Sequence, residues 1–242
     1  MAESDRSTDA LVLLPAYNDA ELVGALTAGI MELSDHYRVL VIDDGSDEPL
    51  DVSTLSDGVL VCRLPTNLGL GVCTHIAFDH ALKHGYGAMV RVDADGQHPL
   101  EAISLLLENL LIDEADMVVG ARTNRNFGTG LRSYLSKIVR SYLSLVARLL
   151  TRGNAPRDVN SGFFAVNSKA MSVLNKSLLE RYPEPQMYIL GCRRGLRVKE
   201  IEIEQMPRKF GTSSVTLGHA LRLCYRFNIF VLGEILQGSP RR

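Results

Sequence analysis

Two rhythms alternate along the first 120 residues. Residues 10–15 (A-L-V-L-L-P) form a continuous apolar run, as expected of a strand buried on both faces. Residues 19–33 then carry apolar side chains at helical spacing. Residues 37–43 predict a second buried strand that ends in D-D-G-S, and residues 58–64 a third. Residues 70–84 predict a helix stopped by Gly85, 88–93 a fourth strand, 99–112 a helix with Pro99 at its start, and 116–120 a fifth strand. Strands separated by helices of this length predict an α/β fold: an open, mostly parallel, Rossmann-like sheet flanked by helices on both faces.

Beyond Gly120 the pattern changes. Residues 121–130 are polar and Gly-rich and predict a loop. Residues 131–150 predict a helix with a basic face (Arg132, Lys137, Arg140, Arg148). A strand is expected over 160–166, a helix over 184–194, an alternating strand over 196–206 and an amphipathic helix over 215–236. The organisation expected is a polar tail (1–9), a domain over 10–212 and a C-terminal amphipathic helix with its tail (213–242). Within the domain, 10–120 form a nucleotide-binding half and 121–212 a half that completes the site. No internal repeat or low-complexity segment interrupts this plan.

Composition narrows the class. The 242 residues are 46% hydrophobic and 22% charged, which is globular composition with enough apolar side chain for one substantial core. Lys+Arg 26 against Asp+Glu 28 leaves a net charge of −2, which argues against a non-specific nucleic-acid binder. Four cysteines (Cys62, Cys73, Cys192, Cys224) are widely spaced with no C-x-x-C pair, so free thiols in a reducing compartment are expected. The N-terminus has no apolar signal region, and no apolar run reaches the roughly 18 residues that span a bilayer. A cytoplasmic protein, peripheral at the inner face of a membrane at most, is the expectation.

Ligands of open α/β sheets bind beyond the carboxyl ends of the strands. Three polar clusters fall there: Pro15-A-Y-N-D19, Asp43-D-G-S46 and Asp93-A-D-G-Q-H-P99. Asp93 and Asp95 can converge on one hard cation, Mg²⁺ or Mn²⁺, which would neutralise a diphosphate leaving group. An Asx turn or helix cap is the equal alternative at this point. Asp43 or Asp44 suits a base N–H or a ribose hydroxyl, with helix capping by Ser46 or Asp47 as its alternative. Asn67-L-G-L-G71 lacks the third glycine of a dinucleotide fingerprint and reads as a helix start packed closely against the sheet. His75, His80 and His84 do not have metalloprotease spacing and read as ordinary helix histidines.

P-A-Y-N-D, V-I-D-D-G-S, N-L-G-L-G, V-D-A-D-G-Q-H-P, D-M-V-V-G-A-R, R-D-V-N-S-G-F-F and P-R-K-F-G-T-S-S occur in order across about 200 residues. In this the chain resembles glycosyltransferase family 2, and within it the dolichyl-phosphate mannose synthase-like branch. The resemblance implies a GT-A-type fold and inverting, metal-dependent transfer from a UDP- or GDP-sugar, with a polyprenyl phosphate as the acceptor. It places Pro15, Ala16, Tyr17, Asp19, Asp43, Asp44, Asn67, Gly71, Asp93 and Ala94 around the nucleotide, and Asp93, Asp95 and Gln97 on the metal. It assigns Asp95, Arg122, Asp158 and Arg208 to catalysis, and Arg132, Ser161 and Gly162 to the acceptor side.

Two departures stand out. Gln186 is where relatives commonly carry Glu, and an amide cannot take a proton from an acceptor, although an anionic phosphate needs no base. Ser214 is where the pattern usually has Lys. Both departures motivate a second reading, a non-catalytic binding or assembly subunit; a soluble or protein hydroxyl is the alternative acceptor. The two amphipathic helices are expected at a membrane surface or a dimer face, and membrane anchoring would then use a monotopic contact or a partner protein.

Overall fold

A computed structural model describes residues 9–112, 114–123, 131–177, 179–204, 206 and 217–238. The first strand, β1 (Ala10–Ala16), is buried along its whole length, and β2 (Tyr37–Asp43) pairs with it in parallel from Ala10↔Tyr37 to Ala16↔Asp43. Between them runs α1 (Ala20–Leu33). Next come β3 (Leu60–Arg63), α2 (Leu70–Lys83), β4 (Ala88–Arg91), α3 (Ala102–Ile112) and β5 (Met117–Arg122). The remainder supplies α4 (Leu131–Leu150), β6 (Phe164–Asn167), α5 (Ser168–Leu174), α6 (Glu184–Arg193), β7 (Val198–Ile203) and α7 (Leu217–Leu236).

These strands form one seven-stranded sheet in the order β3-β2-β1-β4-β6-β5-β7. The mostly parallel sheet matches expectation, with two corrections of detail. β6 lies antiparallel between β4 and β5, so the fifth strand does not adjoin the fourth. Phe164, Ala165 and Val166 are all buried, and a strand apolar on both faces belongs in the middle of a sheet. β3 is an edge strand paired only to β2, and its Leu60 and Val61 are exposed, so the third apolar run is shorter and less buried than its composition suggests. Because β6 and β7 come from the second half, the sheet runs through both halves of the domain.

Alternation along the strands divides the core. Leu11, Leu13, Leu40 and Ile42 pack with residues of α2, α4, α5, α6 and α7 on one face. Val12, Leu14, Val39 and Val41 pack with residues of α1 and α3 on the other. Each fully buried Leu, Ile or Val contributes about 1.5–3 kcal/mol. The helix α5 escaped the sequence pattern because seven residues are too few to show a helical period. Its start is marked by Asn167, whose side chain accepts from Ala170 N at 2.8 Å. The four cysteines are free, and burial pushes the Cys73 thiol up to about 12.

The far edge of the sheet is held by a buried carboxylate. Asp116, just before β5, accepts from Arg197 N at 2.8 Å, Asn167 Nδ2 at 3.2 Å and Lys169 Nζ at 3.1 Å. One side chain thereby ties β5 to the ends of β6 and β7. Burial raises its pKa, but these donors outweigh burial and hold it below the ordinary carboxylate value. A depressed folded-state pKa stabilises the protein above the unfolded value of about 3.9, and that stability is lost as pH falls through the folded value. Asp116→Ala, which leaves three donors without an acceptor, is expected to lower stability by about 2 kcal/mol at pH 7. Denaturant melts should show this difference shrinking below about pH 4. A difference that persists undiminished at low pH would contradict the assignment.

Candidate active site

The carboxyl ends of β1, β2 and β4 open into one cleft of about 1110 Å³. Its lining joins residues 15–19, Asp44, residues 67–70 and residues 93–95 to residues 179–182, Gln186 of α6, and Arg222, Leu223, Arg226 and Phe227 of α7. Each of the three polar clusters at the strand ends contributes residues to this one cleft. Ala94 lies almost wholly buried in its floor, whereas Tyr17 stands exposed at its rim.

Asp93 follows β4 and is the most tightly engaged acid of the cleft. Its Oδ1 accepts from Arg91 Nη2 at 2.8 Å and Nε at 3.1 Å, and its Oδ2 lies 3.5 Å from His98 Nε2. Burial raises its pKa, but the Arg91 guanidinium and His98 prevail and hold the carboxyl far below its usual range. The His98 ring is itself fixed by stacking on Phe163, with centroids 4.6 Å apart. Asp95 Oδ1 accepts from Gln97 N at 3.1 Å, so the Asx turn forms while the residue also lines the cleft. Gln97 lies outside the lining; its carbonyl accepts from Met206 N. Asp93 and Asp95 present hard oxygen donors at one end of the cleft. Among the described residues no third His, Cys, Asp or Glu joins them as a preformed metal cluster. Two carboxylates with the remaining positions left to phosphate oxygens and water suit Mg²⁺ or Mn²⁺.

The paired acids after β2 divide their work. Asp43 is absent from the lining; it accepts from Ser46 N at 2.8 Å and pairs with Arg63 at 2.8 Å, shaping the turn. Asp44 lines the cleft, and it accepts from the amides of Leu68 and Gly69 at 2.7 and 2.9 Å. Asn67 lines the cleft as well, while Gly71 is buried beside it. The glycines of this segment serve a close approach, but to residues 179–181 and not to the sheet. A Cβ on Gly71 would lie 2.1 Å from the Glu180 carbonyl oxygen, and one on Gly69, at φ +97, would meet Arg181. Leu70 N donates to the Arg181 carbonyl, and the Arg181 guanidinium bonds the Asn67 side chain.

Ser161 and Gly162, expected on the acceptor side, and Arg122 and Asp158, expected in catalysis, form a second layer. Ser161 is fully buried, and its hydroxyl donates to Gly120 O at 2.6 Å. Gly162 packs against the acid floor, where a Cβ would sit 2.6 Å from Asp93 Oδ2 and 3.0 Å from Arg91 Nη2. Asp158 is buried with its Oδ2 3.4 Å from Arg122 Nε, while Arg122 also donates to Asn160 O at 3.2 Å. These residues do not line the cleft; they brace the ends of β5 and β6 beside it. Arg208 and Ser214 lie outside the described residues, as does the Arg132 side chain. Gln186 does line the cleft, and its Oε1 accepts from Glu180 N at 2.9 Å. The amide therefore holds the 179–182 segment in place.

Sequence reading missed Arg91 as a site residue, and with it the cleft wall from residues 179–182 and α7. A signal for Arg91 was present, since a lone cation inside the apolar run A-M-V-R-V demands a buried partner. Nothing in the sequence marks the wall, because its residues meet the cleft only through long-range packing.

An open sheet of this topology, with an acid-bearing cleft at its strand ends, is the fold of the GT-A glycosyltransferases. The chain belongs to glycosyl transferase family 2, whose sequence model matches residues 11–181. It is similar to the polyprenol monophosphomannose synthase of Mycolicibacterium smegmatis, with 29% identity over 221 residues, 85% of this chain and 80% of that protein. It is also similar to the undecaprenyl-phosphate mannosyltransferase of Micrococcus luteus, with 27% identity over 218 residues, 86% of this chain and 88% of that one. Both names are consistent with the branch that the motifs indicated. The fold is similar to that of glucosyl-3-phosphoglycerate synthase from Mycobacterium tuberculosis, solved with Mn²⁺, UDP and glucosyl-3-phosphoglycerate. That match has a TM-score of 0.72 at 16% identity and covers 96% of this chain and 85% of that one.

Gly162 offers a test of the site's construction. Gly162→Ala is expected to push Asp93 from its place and weaken nucleoside-diphosphate binding at least tenfold, an effect of roughly 1.4 kcal/mol. Isothermal titration of the folded variant measures it. Unchanged affinity would show that the Asp93 carboxylate does not set the site.

Proposed function

We propose that this glycosyltransferase moves a sugar, with inversion, from a UDP- or GDP-sugar to a polyprenyl phosphate, using Mg²⁺ or Mn²⁺ held by Asp93 and Asp95. The observation that carries this reading is the meeting of Asp93 and Asp95 with Asp44 and residues 15–19 in one cleft. Names of relatives that act on polyprenyl phosphates support the acceptor class. The Mn²⁺ and UDP bound to a protein of similar fold support the donor and cation.

When bound, the cation supplies charge neutralisation for the departing diphosphate. Residues 15–19 and Asp44 frame the nucleoside, with Asp44 held by the 68–69 amides. A phosphate oxygen of the acceptor attacks the anomeric carbon as the bond from that carbon to the diphosphate oxygen breaks. The nucleoside diphosphate leaves with that electron pair. Because the acceptor is already an anion, no side chain has to remove a proton. This agrees with Gln186, an amide whose oxygen is engaged by Glu180 N, at the position where a base would otherwise be expected. Arg208 is proposed to offset developing negative charge, as guanidinium groups do well around phosphates, whereas Arg122, engaged by Asp158 and Asn160 O outside the cleft lining, supports the strand ends beside it.

Membrane contact follows from the same acceptor. Among the described residues no helix is long and apolar enough to cross a membrane. However, α4 exposes Tyr134, Ile138, Leu145 and Leu149, and α7 exposes Leu221, Tyr225, Ile229, Leu232 and Ile235. Apolar stripes flanked by Lys137, Arg148 and Arg222 suit shallow contact with an anionic lipid surface.

The test is transfer from radiolabelled UDP- and GDP-sugars to undecaprenyl phosphate with Mn²⁺ or Mg²⁺ present. Wild type is expected to form a glycosyl-phosphate lipid. Asp95→Asn, folded by circular dichroism, should lose at least 99% of that rate, or about 2.7 kcal/mol of transition-state stabilisation. Full activity in the variant would end the metal assignment. Donor binding without transfer to any acceptor would favour a non-catalytic binding subunit.

A further inference from the structure

Arg91 is a buried cation next to an acid proposed to bind a divalent cation. Alone, such a charge would oppose the bound ion. Its guanidinium is almost wholly buried, with Nη2 and Nε on Asp93 Oδ1 and Nη1 on Glu184 Oε1 at 2.8 Å. Glu184 opens α6 and is itself buried. The transfer reaction as written above gives neither Arg91 nor Glu184 a task. Both groups are too far inside the protein to be surface decoration, since buried charges persist only when paired and hydrogen-bonded.

We infer that Glu184 is a positioning residue for the cation site: it neutralises Arg91, so that Arg91 can orient Asp93 without cancelling the charge offered to a divalent ion. This rests on the metal assignment to Asp93 and Asp95. Asp93, Asp95 and Glu184 carry three negative charges against the single positive charge of Arg91. Counted with His98 as a neutral ring, the group as a whole keeps two negative charges, which match a divalent cation. Without Glu184 it keeps one, and the potential at Asp93 is set by a guanidinium bonded to it twice. Arg91 also anchors Asp93 Oδ1 with two donors, His98 Nε2 lies 3.5 Å from Oδ2, and Gly162 closes the space behind the carboxylate. Groups behind a metal ligand that set its orientation and charge typically change metal affinity by about 10- to 100-fold when altered.

This role predicts a split that a merely structural one does not. Glu184→Gln is nearly isosteric, and its amide oxygen can still accept from Arg91 Nη1, so the fold is expected to survive. Binding of Mn²⁺ in the presence of UDP or GDP, read from the electron paramagnetic resonance signal of free Mn²⁺, should weaken roughly tenfold. Binding of the same nucleoside diphosphate without metal, read by calorimetry, should hold or tighten, because the cleft has become more positive. Arg91→Met/Glu184→Gln removes the cation together with its counter-charge. It should recover Mn²⁺ affinity relative to Glu184→Gln if net charge dominates.

Equal weakening with and without Mn²⁺ would overturn the inference in favour of a general structural role. Unchanged Mn²⁺ affinity with a collapsed transfer rate would also overturn it, because the cation site would then not depend on Glu184. Wild type that binds no nucleoside diphosphate in a Mn²⁺-dependent way would remove the metal assignment itself. That result is distinct from a wild type and a Glu184→Gln variant that bind Mn²⁺ alike, which would remove only this inference.

Discussion

The arrangement around the cleft depends on one buried ion-paired cluster, in which Arg91, the last residue of β4, joins Asp93 just beyond the strand to Glu184 at the start of α6. A guanidinium inside a protein is tolerable only if each of its nitrogens finds an acceptor and its charge is met. Here those conditions are met by groups 2 and 93 residues away in sequence. The strand end that carries Asp93 and Asp95 is thereby locked to the C-terminal half. Removing a single partner would strand a buried charge, which makes the link more constraining than its net stabilisation implies.

A second set of contacts extends this link around the rim. Gln186 holds Glu180 N, Glu180 pairs with Arg226 of α7 at 2.7 Å, and Arg181 bonds the Asn67 segment. The glycines at 69 and 71 make that approach possible, since any side chain would collide with residues 179–181. α7 is fixed in turn by Arg193, whose Nε lies 2.8 Å from Glu234 Oε2. The cleft wall is therefore assembled from segments that apolar packing of Leu179, Met187 and Phe227 brings together and that these polar pairs set in register.

How much of this was legible in the sequence follows from the range of the interactions involved. β1, β2, α2 and α4 are local statements written in apolar period and turn residues, and their limits came out within about two residues. The insertion of β6 between β4 and β5 is a long-range choice; a five-strand alternating pattern gives no sign of an antiparallel neighbour. At the site, Asp44, Asp93 and Asp95 were readable because short loops after strands must face the same edge. Asp43 was not separable from Asp44, since only the fold shows which carboxylate turns inward to Ser46 and Arg63. Glu184 was visible as an acid near Gln186, but its pairing with a strand residue was not.

The same distinction bears on the acceptor. The helix α7 has one edge in the cleft, through Arg222, Arg226 and Phe227, and another face of exposed Leu and Ile side chains. A small soluble acceptor would need only the first. The acceptor proposed above, a long apolar chain ending in a phosphate, would use both at once, its charged end among the arginines and its tail beside the apolar face. Exposed apolar side chains at Leu221, Tyr225, Ile229 and Leu232, repeating every three or four residues on one helix, carry a hydration penalty unless something covers them. In the proposed reaction a lipid surface carrying the acceptor would cover them while bringing its phosphate to the cleft, so one contact would meet both requirements.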